Sequence, residues 1–296
     1  MDKPVKFEIP LTEPSVRRRV AVRSFSQLPL SMKTPTRQPI NLLTLLIACV
    51  ALRSLANDTP QTVPMVQKWS DVGMITADND WSKVPGFVGY KGDKLTTKVG
   101  VNPQTIVADG TDSSVGVYAN QSKPNSFRSG GVAEFDGIPD PTVAIKGSAA
   151  ANAPFLLLNL NTKGKKNVGA GYTLRDLDSS VNNAVQPVAF QYRVGTNGNF
   201  IDIPAAYVPD ATAGPNETKS TPVVVMLPAA AWDQYLVQVR WITANAEGND
   251  EWVGIDEIAV VGDDIPAPPT AAAATPVPDA KRSAEPLRSG RAPGTH

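Results

Sequence analysis

The side chains that most often perform catalysis or bind metals are scarce in this 296-residue chain. It contains one cysteine, Cys49, and one histidine, His296, which is its last residue. These counts exclude a disulfide framework, a Cys/His zinc site, a Ser-His-Asp triad and a Cys-His dyad. Any chemistry in this chain therefore has to rest on carboxylates, Lys, Tyr or a bound cation.

Asp78 and Asp80 are the first candidates for cation ligands. They flank Asn79 in a tight polar loop, and alternating carboxylate and amide oxygens of this kind begin calcium-binding loops. The alternative is an ordinary turn, for which the same residue types are typical. The segment 176–182 also has the composition of a cation loop, but it lacks the Gly and the Glu that an EF-hand needs at its sixth and twelfth positions, which favours a turn.

Paired carboxylates are the remaining catalytic possibility, because one acid of raised pKa and one nucleophile or base hydrolyse a glycoside. Asp176 with Asp178, or Glu251 with Asp256, supply such pairs. A chain with this many acidic residues contains such pairs by chance, and spacing along the sequence does not give the distance in space. We therefore predict a protein that is not an enzyme.

Tryptophan rings raise the possibility of sugar binding, because an apolar ring face can pack on a pyranose. Trp81 and Trp232 lie beside Pro- and Asp-rich loops, so they are the better candidates for exposed, ligand-binding rings. The alternative for both is packing in the core. Trp241 alternates with Arg240 along a strand-like segment and is expected in the core.

The charge is unevenly distributed along the chain. Residues 1–56 carry nine Lys/Arg and three Asp/Glu, whereas residues 57–264 carry fifteen and twenty-three. An acidic domain does not suit a phosphate backbone, so no nucleic-acid binding is expected. The predicted partner is an extracellular polysaccharide or a cell-surface protein, and the chain is expected to be a monomer.

The longest apolar segment, residues 40–52, reads as the core of a signal peptide. It lies between Arg37 and Arg53, and it is shorter than the roughly 20 residues that span a bilayer. Its length and its positive flank are typical of secretory leaders. The small residues up to Ala56 predict cleavage after that position, with no membrane span in the mature chain.

The exact processing leaves alternatives open. The chain starts at Met1 or, with a leader of ordinary size, at Met32. Cys49 ends a segment that resembles a lipobox, so a lipoprotein is the alternative to ordinary cleavage. Each of these places the following domain outside the cytoplasm, in the periplasm or secreted.

The middle of the chain consists of short strand-like segments separated by Gly, Pro, Asn and Asp. They lie at 104–108, 115–118, 132–135, 142–146, 155–160, 168–174, 187–194, 200–203, 222–227, 235–242 and 252–261. Alternating apolar and polar residues predict half-buried antiparallel strands.

This pattern predicts an all-β protein with a single antiparallel β-sandwich of jelly-roll type over residues 57–264. Two smaller sandwiches divided near residue 150 are the alternative. The sandwich is flanked by the N-terminal extension and signal segment, 1–56, and by a Pro/Ala-rich tail, 265–296, whose composition predicts a disordered linker.

Five segments carry a family resemblance: 75–86, 130–135, 174–178, 185–195 and 251–260. They are similar to an N-terminal module of large secreted bacterial proteins, many of which have an endonuclease/exonuclease/phosphatase domain downstream. The resemblance implies a non-catalytic front end, because that nuclease machinery needs His residues that this chain lacks. An orphaned or truncated front end acting only as a spacer is the alternative to a binding module.

The closing segment, 254–260, resembles the last strand of many jelly-roll binding modules. In those modules an acidic residue joins an N-terminal loop at a structural calcium. The resemblance implies that Asp256 completes a calcium site with the 78–80 loop, helped by Asp250 or Glu134.

Overall fold

A computed structural model describes residues 56–110, 112–179, 184–214 and 219–266. These residues belong to one compact unit, Leu52–His296. The predicted signal segment with Cys49 and most of the Pro/Ala-rich tail lie outside the described residues. No described helix has the length and apolar character that crossing a membrane requires.

Two six-stranded sheets make up the described part of the chain. The first contains β1 (Gln61–Thr62), β3 (Phe87–Tyr90), β6 (Phe155–Asn161), β8 (Ala189–Val194), β9 (Ile201–Asp202) and β11 (Val237–Ile242). The second contains β2 (Met65–Gln67), β4 (Gly131–Phe135), β5 (Thr142–Lys146), β7 (Lys165–Asp176), β10 (Ser220–Met226) and β12 (Val253–Asp264).

The strand order confirms the predicted β-sandwich. The first sheet runs β1-β6-β11-β8-β9 with β3 also beside β6, and the second runs β10-β7-β12-β5-β4 with β2 beside β12. Neighbouring strands pair antiparallel except β1 with β6. Because β5 pairs with β12, the two halves of the sequence share a sheet, so there is one sandwich rather than two divided near residue 150.

The core lies between the sheets and follows the alternation of the sequence. Val237, Val239 and Trp241 of β11 are fully buried, as expected for Trp241. The ring of Tyr172, on β7 of the opposite sheet, meets the Trp241 ring edge-on with centroids 5.4 Å apart. Contacts of this kind between aromatic rings help to hold the two sheets together.

The outer face of the first sheet is covered by chain segment 101–110. Arg240 projects from β11 to this face, is fully buried, and donates to the carbonyls of Ile106 (2.6 Å) and Ala108 (3.1 Å). The predicted strand at 104–108 is therefore wrong: the segment contains a 3₁₀ turn, Pro103–Thr105, and serves as a cover. The predicted strand at 115–118 forms only isolated bridges.

Candidate functional site

Both carboxylates of the predicted calcium loop accept hydrogen bonds from backbone amides. Asp78 accepts from the Ala119 amide (2.9 Å), and Asp80 accepts from the Ser82 amide (2.9 Å). The hydrogen bonds from Ser82 hold the pKa of Asp80 below its usual value. The Asp80 contact is that of an ordinary polar turn, whereas the Asp78 contact joins the loop to Ala119.

Asp256, the predicted distal ligand, is buried in an ion pair. Its Oδ2 lies 2.6 Å from Arg175 Nη1, and its Oδ1 accepts from the Glu257 amide at 2.7 Å. Burial raises its pKa, and the Arg175 guanidinium opposes that shift. Arg175 thus supplies a positive charge directly beside this buried carboxylate.

The structure does not gather the three predicted calcium ligands at one place. Among the described residues there is no group of three or more His, Cys, Asp or Glu side chains arranged to hold a metal. It does bring Asp78 near Glu134, because these carboxylates accept from the consecutive amides of Ala119 and Asn120. Burial raises the pKa of Glu134 to about 7.

The two tryptophans proposed for sugar stacking are held by the core. Trp81 is fully buried and its ring packs over Gly89, where a Cβ would lie only 2.6 Å from the ring. The expectation that Trp81 offers an exposed ring is therefore wrong. Trp232 is half-buried, packs on the main core, and donates from Nε1 to the Leu227 carbonyl at 3.0 Å.

A different site, which we call the loop cleft, has a volume of about 580 Å³. It lies where β5 and β7 end and β12 begins. Its walls are formed by 125, 127–128, 146–149, 178–179, 245 and 248–250. Because these residues come from four separate loops or strand ends, no single sequence motif encodes the site.

Lys146, the last residue of β5, forms one side of the loop cleft. Its Nζ lies 3.7 Å from Asp178 Oδ2 and 5.7 Å from the centroid of the Trp252 ring. The Trp252 amide donates to the same Asp178 oxygen at 3.2 Å. The cation is thereby fixed between a carboxylate and an aromatic face.

Phe127 forms the aromatic wall. It is half-buried and stacks on Trp252, with ring centroids 5.7 Å apart and 14° between the planes. Its carbonyl accepts from Trp252 Nε1 at 3.1 Å. Both contacts hold the loop 122–128 against the second sheet.

Three polar side chains that line the loop cleft keep their hydrogen-bonding capacity. Asn245, Asn249 and Arg128 make no side-chain hydrogen bond to any residue that the structure describes. Asn245 is only 9% exposed as a residue, but its side-chain amide is not among the fully buried polar groups without partners. The amide therefore reaches the space of the cleft, where it can donate to and accept from a ligand.

Glycine at position 147 lets the walls come together. A Cβ there would lie 2.3 Å from Asp250 Oδ1, 2.6 Å from the Asn245 Cα and 2.7 Å from the Ala244 carbonyl oxygen. Asp250 in turn accepts from the Ala246 amide at 2.8 Å and closes its own loop. Burial raises the pKa of Asp250.

Of the carboxylate pairs considered for catalysis, Glu251 and Asp256 have different partners. Asp256 is committed to Arg175, whereas Glu251 lies in the electrostatic environment of Asp178 and Lys146. Burial raises the pKa of Glu251 to about 7, with Asp178 and Asp210 adding to the shift. Glu251 is buried and does not line the loop cleft.

Comparisons with known proteins find similarity in solved structures. A carbohydrate-binding module specific for non-crystalline cellulose, CBM28, is 14% identical, covering 49% of this chain and 96% of its own, with a TM-score of 0.33. A CBM27 module of Caldicellulosiruptor saccharolyticus, in complex with mannohexaose, is 10% identical, covering 49% and 91%, with a TM-score of 0.32. TmCBM61, in complex with β-1,4-galactotriose, is 9% identical, covering 42% and 72%, with a TM-score of 0.28.

No protein-family model and no curated protein matches the sequence. The identities and TM-scores of the structural neighbours are low, so the function of this chain has to be inferred from its own residues.

Of the cleft residues, Asp178 and Asp250 were sequence candidates for other roles, whereas Asn245 and Asn249 were missed for an identifiable reason. Asn245 and Asn249 lie in a loop rich in Asn, Gly and Asp, and such a loop reads as a connection between strands. This loop becomes part of a candidate binding site only because the fold places it beside Lys146 and Phe127. In the sequence, the polar composition of the loop was the one indication of a binding role.

Proposed function

We propose that residues 57–264 form a non-catalytic β-sandwich module that binds a carbohydrate polymer through the loop cleft, outside the cytoplasm. The observation that carries this proposal is a set of three polar side chains, Asn245, Asn249 and Arg128, next to the half-buried ring of Phe127; none of the three has a hydrogen-bond partner among the residues that the structure describes.

The chemistry of these groups matches that of a sugar. Each sugar hydroxyl donates and accepts hydrogen bonds, and an amide side chain offers both functions in one group. The C–H face of a pyranose is apolar and packs on an aromatic ring. The cleft volume, about 580 Å³, falls within the roughly 300–1,000 Å³ of ordinary ligand pockets.

The absence of catalysis in this proposal is supported by the cleft lining. It contains neither His nor Cys, and Lys146 and Asp178 are engaged with each other and with Trp252. The apolar segment 40–52 with its positive flank supports export, and the acidic charge of 57–264 disfavours nucleic acid as the ligand.

A polysaccharide panel tests the proposal. Purified full chain is run through native gels containing neutral and acidic plant, fungal and bacterial polysaccharides, and retardation reports binding. We expect retardation by at least one polysaccharide and no release of reducing sugar. Binding to none of them would contradict the proposal. It would favour the alternatives that the module is a spacer in a degradative enzyme or that it binds a protein partner.

A further inference from the structure

A second cleft, of about 570 Å³, lies beside the loop cleft and shares Asn125 with it. It is lined by residues 122–126, 138–140 and 175–177. Its volume also falls within the roughly 300–1,000 Å³ of ordinary ligand pockets, so each cleft has room for a disaccharide.

The two clefts follow one another along the same pair of chain segments. In the loop 122–128, the first residues line the second cleft and the last residues line the loop cleft. In the segment 175–179, residues 175–177 line the second cleft and residues 178–179 line the loop cleft. The segments meet between the clefts, where Ser179 Oγ donates to Asn125 Oδ1 at 3.4 Å. A ligand longer than the loop cleft therefore reaches the second cleft by crossing this contact.

The charges lining each cleft cancel. The loop cleft has Arg128 and Lys146 against Asp178 and Asp250. The second cleft has two cations, Lys123 and Arg175, and two anions, Asp140 and Asp176. Arg175 pairs with Asp140 at 2.9 Å and also with the buried Asp256 at 2.6 Å. A site without excess positive charge gives no net attraction for an acidic polymer, so it suits a neutral one.

We infer that the ligand is a neutral, linear polysaccharide chain that occupies both clefts at once. This inference rests on the proposed function and adds the class of ligand and the extent of the site. If the inference is correct, affinity increases with chain length beyond a disaccharide, because only a longer chain has sugar units that extend into the second cleft.

Oligosaccharides of two and six units test the inference by calorimetry with the full chain. The probes are α- and β-1,4-linked glucose and β-1,4-linked mannose, xylose and galactose oligomers. For the series that binds, we expect the hexasaccharide to bind about tenfold or more tighter than the disaccharide, with little change between low and high salt.

A variant that blocks the second cleft tests whether the additional affinity of the hexasaccharide comes from that cleft. Ser126 is exposed and lines only the second cleft, so Ser126→Trp fills that cleft without removing a contact of the loop cleft. It should reduce hexasaccharide affinity to the disaccharide level and leave disaccharide affinity unchanged. Ser70→Trp, at an exposed position that lines neither cleft, is the control, and thermal melts check that both variants fold.

The outcomes separate this inference from the proposed function. Equal affinity for both lengths, or no effect of Ser126→Trp, overturns the second cleft but leaves sugar binding intact. Binding to acidic polymers alone overturns the neutral class. Binding to no saccharide overturns both proposals.

Discussion

The rings of Phe127 and Trp252 lie nearly parallel, 5.7 Å apart, and the Phe127 carbonyl accepts from the Trp252 indole. Trp252 is fully buried and directly precedes β12. The aromatic wall of the loop cleft is therefore fixed by the core before any ligand arrives. A wall held in this way loses little conformational entropy on binding, which favours affinity.

Gly147→Ala should disrupt the loop cleft. The new Cβ would meet the Asn245 backbone and Asp250, and overpacking of this kind costs about 1–3 kcal/mol. We expect a lower Tm and weakened saccharide binding, because both walls move. Gly171→Ala is the control, since its Cβ would make only ordinary contacts, at 3.9 Å. Equal behaviour of the two variants would argue against this packing.

Arg240 should be important for the cover over the first sheet. Arg240→Ala removes two hydrogen bonds to carbonyls and the contact with the Phe200 ring, 3.9 Å from the guanidinium carbon. We expect a loss of about 2–4 kcal/mol in unfolding free energy, measured by urea denaturation, because buried carbonyl acceptors lose their charged donor. Arg240→Met keeps part of the packing and should lose less. A loss below about 1 kcal/mol in the alanine variant would contradict the assigned role.

Stability should fall as the pH rises from about 5 to 7, in part because of Glu251. Its pKa is about 7 in the folded protein, against an ordinary value of 4.5. Over this range the unfolded chain has lost the proton that the folded protein keeps, so protonation favours the folded state less as pH increases, and the effect levels off above about 7. Glu134 contributes with the same sign.

Thermal melts at pH 5 and pH 8 measure this effect. The decline in Tm should be smaller in Glu251→Gln than in the wild type, and smaller still when Glu134→Gln is added. An identical decline in all three proteins would rule out the raised pKa values.

The calcium prediction is tested by chelation. A cation bound only by the folded state raises stability by mass action, so EDTA should lower the Tm of calcium-loaded protein by several degrees. Asp78, Asp80 and Asp256 are the ligands that the sequence predicts, so Asp78→Asn should abolish the shift. An unchanged melt after EDTA would end the calcium hypothesis.

The strands of the core were predictable because one physical pattern defines them. In β8 and β11 apolar and polar residues alternate, and the apolar set faces the core. The short strands β1, β2 and β3 were not recognised: β1 and β2 have two and three residues, too few for a period to show. β3 contains Gly89, a residue type that is unfavourable in strands, and this glycine makes room for Trp81.

The candidate site was less predictable, because it depends on contacts between distant segments. Asp256 has the sequence context of a ligand, yet Arg175 on the neighbouring strand neutralises it. Arg240 is a polar residue that alternates with apolar ones along β11, so the sequence pattern places it on an exposed face, yet segment 101–110 buries it. Neither partner is close in sequence, so local pattern alone could not assign these side chains.

The most direct test of saccharide binding in the loop cleft is the affinity of an Asn245→Ala/Asn249→Ala variant for the polysaccharide that the panel identifies. Each hydrogen bond is worth about 1 kcal/mol, so affinity should fall about 10- to 30-fold with an unchanged Tm. Asn197→Ala/Asn199→Ala, at exposed positions of the β8–β9 turn, should bind like the wild type. Wild-type affinity in the cleft variant would contradict the account.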